Sequence, residues 1–215
     1  MKYLYVFIFY LLVVLCCSSP MKDPPDNLKP GYTTPEDHYI NAFVKVTGVS
    51  FVKEIGSVEN LHFPYDGDPF ILVELNGERI ADKEADSLRL EVGDTAGVYY
   101  GENYRGPIIV TSNSFSGISV YSDTPFNDFQ PGESLAGIIN MRWSSALPVI
   151  KSKQEHVSHS FSKLLSEVIP EDLYLISPRF TLSFTETPAI KEHNITVSFM
   201  DKDTTITGTG HFVFK

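Results

Sequence analysis

NITVSFMDKDTTITG, residues 194–208, decides the fold class. Ile195, Val197 and Phe199 occupy alternate positions, and the polar Asp201-Lys202-Asp203 then interrupts the run before a threonine-rich return. Period-two spacing of this kind demands a strand with one face in a core and the other in water. The same spacing flanks it on both sides. RFTLSF (179–184) puts Phe180, Leu182 and Phe184 on one face, and GTGHFVFK (208–215) ends with Phe212 and Phe214 in step.

Working towards the amino terminus, FSGISVYS (115–122) and PIIVTS (107–112) are strand-like. YINAFVKVTGVSFV (39–52) is rich in β-branched and aromatic residues, with Gly48 as a bend. FILVELNGERI (70–80) places Asn76-Gly77 between an apolar run and a polar one, the strongest short hairpin signal. Leu88, Leu90 and Val92 alternate before a break at Gly93-Asp94 and are taken as strand. Short strands punctuated by Gly, Pro and Asp predict a mainly β fold, an antiparallel β-sandwich of immunoglobulin-like type.

Two stretches depart from this pattern. Phe161, Leu164, Leu165, Val168 and Ile169 fall at helical spacing, with Ser158 or Ser160 as a cap and Pro170 as a stop, and predict one short amphipathic helix. ESLAGIINMRW (133–143) fits a helical turn or a strand.

The chain has 215 residues, 42% of them hydrophobic, enough for one domain with a substantial core. Its formal net charge of −10 repels phosphate backbones, and no Lys/Arg stripe offsets it, so nucleic-acid binding is not expected. The same charge gives no attraction to anionic lipid head groups. The only two cysteines are neighbours, Cys16 and Cys17, and too close to form an unstrained disulfide. No disulfide can staple the fold, and its stability must come from apolar burial.

The cysteines sit where a greasy run meets a polar one. Lys2 supplies a positive charge, Tyr3–Leu15 carries none, and Ser18-Ser19-Pro20 follows. A positive start, an apolar middle and a small-residue end describe a secretory signal peptide, too short for a spanning helix. Ahead of Cys17 stand Val14, Leu15 and Cys16. This stretch resembles the lipobox of bacterial lipoproteins, with an apolar residue three before the cysteine and a small residue just ahead of it. Cys16 takes the place of the usual Gly, Ala or Ser; were Cys16 itself the modified residue, the bulky Leu15 would precede the cut. The resemblance covers the first twenty residues. It implies a thioether-linked diacylglyceryl group at Cys17 and location in the cell envelope, at the outer membrane or cell surface. Two or more acyl chains would hold an acidic protein at a bilayer without a basic patch. Residues 18–35 contain Pro20, Pro24, Pro25, Pro30 and Pro35 and little that is apolar, the composition of an extended tether. The expected organisation is a signal peptide over 1–16, a lipid-anchored tether over 17–35 and one β-sandwich over 36–215.

No motif assigns a reaction. Gly132-Glu133-Ser134-Leu135-Ala136-Gly137 is not a nucleophile elbow, and no cysteine remains in the folded part to serve instead. His156 and His159 are spaced for one helix face but lack a third metal ligand, so no metal site is assigned. Asp123, Asn127 and Asp128 could hold calcium, but such residues also favour turns for their own backbone hydrogen bonds. No cofactor is expected. Asn194-Ile195-Thr196 matches a glycosylation sequon, a chance match in a bacterial protein. The best binding candidates are Tyr99, Tyr100 and Tyr104 in GVYYGENYRG, glycine-flanked aromatics suited to a sugar ring or a protein surface. The expected function is a membrane-anchored, non-enzymatic binding or assembly module with a glycan or protein partner. The alternatives are a glycan hydrolase of the envelope and a structural subunit that assembles by β-strand addition.

Overall fold

The computed structural model describes residues 38–52, 69–95, 108–153, 158–202 and 204–214. The hairpin that the alternation at 194–208 requires is present. Strands β8 (Glu192–Asp201) and β9 (Thr204–Val213) pair antiparallel from Glu192↔Val213 to Asp201↔Thr204. Lys202 takes the left-handed conformation (φ 50°) at the turn. The odd-numbered residues of β8 point inward, so Ile195, Val197 and Phe199 are fully buried. On the outer face, hydroxyls link the two strands at Thr196–Thr209 (2.9 Å) and Ser198–Thr207 (3.3 Å).

β4 (Phe115–Ser122) adds to β8 and completes a three-stranded sheet. The second sheet has six strands in the order β3-β1-β2-β7-β5-β6. These are β1 (Ile40–Phe51), β2 (Phe70–Arg79), β3 (Ile108–Thr111), β5 (Ile139–Ser144), β6 (Ser160–Leu164) and β7 (Arg179–Phe184). The fold is mainly β, and its two sheets pack as a sandwich. One pair departs from antiparallel order: β3 runs parallel to β1, from Ile40↔Ile108 to Val44↔Thr111.

The main core lies between the sheets. Val73, Met141, Leu182 and Phe184 of the larger sheet meet Val120, Val197 and Phe199 of the smaller. Three strands cannot cover six, and the excess is covered from the chain itself. Residues 165–176 contribute Leu165, Leu173 and Ile176 to the main core. A second cluster contains Phe43 and Val110 with Ala85, Val149 and Ile150 of two helices, α1 (Asp82–Val92) and α2 (Leu147–Ser152). Phe43 and Val46, three apart on β1, serve different clusters, as opposite faces of one strand should.

Three expectations from the sequence are corrected. Asn76-Gly77 makes no hairpin turn; both lie inside β2, paired with Gly48 and Val46 of β1 across a bulge. A Cβ at Gly77 would stand 2.0 Å from the Lys45 carbonyl oxygen, so this glycine permits a close backbone approach. Leu88, Leu90 and Val92 belong to helix α1, with acidic residues in its first turn, Arg89 in its last and Gly93 as a left-handed cap. Those are favourable helix-end signals. The expected amphipathic helix at 161–169 is instead β6, then a 3₁₀ turn at Leu165–Glu167. Ser160 and Ser162 are exposed around a half-buried Phe161, a strand alternation, and the turn at 165 re-aims the chain to bury Leu165. Pro170 opens a 3₁₀ turn (Pro170–Leu173) and stops no helix. The ambiguous 133–143 stretch is both of its readings, a 3₁₀ turn at Ala136–Ile138 running into β5.

α1 buries only Ala85 fully, and polar bonds hold it to β1. Arg89 donates to the carbonyls of Ile40 (3.0 Å) and Asn41 (2.8 Å). Just past the helix, the buried Asp94 carboxylate accepts the backbone N–H groups of Tyr39 (3.0 Å) and Ile40 (2.8 Å). The start of β1 is thereby fastened to the end of α1.

Candidate functional site

Cys16, Cys17, the proline-rich segment, Tyr99, Tyr100, Tyr104 and His156 lie outside the described residues. His159 is exposed, and its carbonyl accepts the Ser145 N–H at 2.8 Å. It precedes a strand, so it has no helix face to share with His156. Among the described residues no group of three or more His, Cys, Asp or Glu side chains is placed to hold a metal ion.

The acidic loop 122–133 is organised by its own hydrogen bonds. Asp123 accepts the backbone N–H of Asn194 (3.0 Å) and its side-chain amide (2.6 Å). Asn127, at φ 53°, donates to Glu186 (3.0 Å) and accepts from Ala189 N–H (3.0 Å). These residues tie the loop to its neighbours, which is the turn role that Asp and Asn commonly take. The Asn194 side-chain and backbone bonds hold the Asp123 carboxyl below its ordinary value. A lowered carboxylate stabilises the fold above the unfolded value and loses that contribution as pH falls through the folded one. The Asn194 amide resonances followed by NMR should therefore titrate with a midpoint under 3.8, the ordinary aspartate value. A midpoint at or above it would contradict these bonds.

Among the described residues, one serine–histidine pair has hydrogen-bond geometry. Ser122 Oγ lies 2.8 Å from His193 Nδ1, and His193 Nε2 lies 2.8 Å from the Ile190 carbonyl. The carbonyl can only accept, so Nε2 carries the proton and Nδ1 accepts from the serine hydroxyl. Both residues are buried, and the imidazole packs against Phe126 and Phe214 at 5.0 and 5.4 Å between ring centroids. The pair is a satisfied polar element of the core, and Ser122 lines neither of the two cavities described next.

Two open cavities are lined by described residues. The larger, about 470 Å³, is bordered by Lys45, Asn113, Asp201 and Lys202. Two of its polar side chains serve the fold: Asn113 accepts the Val46 N–H (2.7 Å) and donates to Asp201 (2.6 Å). The smaller, about 240 Å³, lies where residues 165–176 cover the large sheet. Trp143 and Phe161 are direct cross-strand partners on β5 and β6, and their rings sit 5.6 Å apart, inclined by 34°. Trp143 is buried while Phe161 stays half-exposed. Leu147 and Pro148 at the start of α2 also line it. Lys151 pairs with Glu171 over the rim, and Lys163 binds both carboxylate oxygens of the neighbouring Asp172 at 2.9 and 2.7 Å. An apolar wall under a few fixed charges is the usual composition of a small-molecule pocket.

Sequence reasoning did not reach this pocket. Its aromatic pair depends on β5 and β6 being neighbours, whereas the spacing of residues 161–169 predicts a helix there. The available signal was the single Trp in step with Met141 and Ile139. No protein-family model matches the chain, and neither curated proteins nor solved structures yield a match.

Proposed function

We propose that this protein is an exported lipoprotein of the bacterial cell envelope, tethered through Cys17, whose β-sandwich acts as a non-enzymatic binding module. The observation that carries this reading is Val14-Leu15-Cys16-Cys17 at the end of the uncharged run Tyr3–Leu15, followed at once by a proline-rich segment. A chain of net charge −10 gains no hold on anionic lipid from its surface, so a covalent anchor is the consistent means of retention. Burial of the Ser122–His193 pair supports a binding role over a hydrolytic one, since a nucleophile must reach its substrate. A small aromatic pocket framed by charged side chains supports it further.

Replacing both Cys16 and Cys17 with serine in a bacterial host should move the protein from the membrane fraction to the soluble fraction. Mass spectrometry of the mature wild-type amino terminus should find a diacylglyceryl-modified cysteine. Persistence of the double variant in membranes, or an unmodified terminus beyond Cys17, would overturn the anchor.

A further inference from the structure

We propose that the Trp143–Phe161 pocket is a saccharide site, taking one neutral pyranose-sized ring against Phe161 with its hydroxyls on Lys151, Glu171 and Asp172. This deepens the binding-module reading and rests on it for biological sense. The chemistry rests on the pocket alone.

Four observations converge. Phe161 is half-buried, and its packing on Trp143 across the β5–β6 pair holds the ring in place as a wall. A pyranose presents a face of C–H groups that suits such a wall, and immobilising a held ring costs little further entropy. The charges around the pocket come in matched pairs, Lys151 with Glu171 and Lys163 with Asp172. An ionic ligand would have to displace a counter-ion already in place. A neutral polyol need not, because each hydroxyl can accept from an ammonium group while donating to a carboxylate. The net charge of −10 acts in the same direction against anionic ligands. The volume, about 240 Å³, suits a single ring better than an extended chain. The larger cavity at Asn113 has no aromatic wall, and Asn113 and Asp201 are engaged with each other.

Trp143 is the only tryptophan of the chain, so its emission reports on this pocket alone. The full chain, in a detergent without a sugar head group, is titrated with glucose, galactose, mannose and N-acetylglucosamine. At least one should change the emission saturably. Glu171→Gln, at an exposed position, should weaken that sugar about tenfold and leave the melting temperature unchanged, the size expected for losing one charge-assisted hydrogen bond. Phe161→Leu should weaken it as well. Failure of all four sugars to saturate the signal overturns the assignment. So does saturation by N-acetyl-phenylalaninamide alone, which would mark a pocket for an apolar side chain, and so does sugar binding indifferent to both substitutions. The cysteine-to-serine fractionation is read independently. Loss of the anchor reading leaves the titration intact, and loss of the sugar site leaves the anchor intact.

Discussion

Asp94→Ala is expected to lower the free energy of unfolding by about 4 kcal/mol, a large share of what a single domain possesses. The carboxylate is fully buried and accepts two backbone N–H groups, from Tyr39 and Ile40, at the point where β1 begins. Alanine would leave both donors inside the protein without that acceptor. Each such loss costs about 1.5–3 kcal/mol where the acceptor is charged. The effect should spread beyond the site, because Arg89 and Asp94 together fasten the end of α1 to residues 39–41, where β1 begins. Asp94→Asn keeps one side-chain oxygen and should lose about half as much, since one of the two amides can still be satisfied. Urea titration followed by Trp143 fluorescence and far-ultraviolet circular dichroism measures both. A loss under about 1 kcal/mol for the alanine variant, the range of a neutral hydrogen bond, would show that the clamp is not as described.

His193→Ala carries the second large effect, a loss of about 3–4 kcal/mol. Removing the imidazole opens a cavity between Phe126 and Phe214 and leaves the Ser122 hydroxyl proton without its acceptor, although the oxygen still accepts the Thr124 N–H at 3.2 Å. The informative comparison is Ser122→Ala combined with His193→Phe. The buried polar pair is then replaced by apolar groups of similar shape, which is far less costly than removing one partner. Two groups lose a partner, the Ile190 carbonyl, whose residue is about half exposed, and the Thr124 N–H, whose residue is half-buried, and both can turn to water. The double variant should recover most of the loss seen in His193→Ala, with the same secondary structure. A double variant less stable than His193→Ala would mean that the pair does more than satisfy itself.

The strands were legible where one face is wet and the other dry. Phe180, Leu182 and Phe184, and then Ile195, Val197 and Phe199, alternate because β7 and β8 each lie in a sheet packed on a single core. Alternation misled at Leu88, Leu90 and Val92. There the end signals were the better guide: Asp82 and Glu84 at the start, Arg89 and Gly93 at the finish. Leu90 is 69% exposed, so its apolar character carried no information about burial. Helical spacing misled at 161–169 because a strand and a tight turn in succession bring Phe161 and Leu165 inward without a helix between them. Asn76-Gly77 misled for a different reason. The glycine answers to the neighbouring backbone at Lys45, a tertiary contact that no local turn rule contains. The candidate pocket was illegible because its parts, Trp143, Lys151, Phe161 and Glu171, come from four separate segments. Asp94 was readable only as the far side of a glycine break; its partners lie 54 and 55 residues away.

Gly77 has a counterpart on the other sheet. On the inward face of β9, Gly208 stands where a Cβ would meet the Val49 carbonyl oxygen at 2.2 Å. Both positions are closed to any side chain by main-chain atoms of one strand, β1, on either side of its bulge. Main chain yields far less readily than a side-chain tip, so homologous proteins that preserve this architecture must carry glycine at both places, however far the remainder has drifted. Two obligate glycines, separated by 130-odd positions and bracketing a bulged strand, thus form a sparse fingerprint by which distant kin could be recognised when overall resemblance has faded.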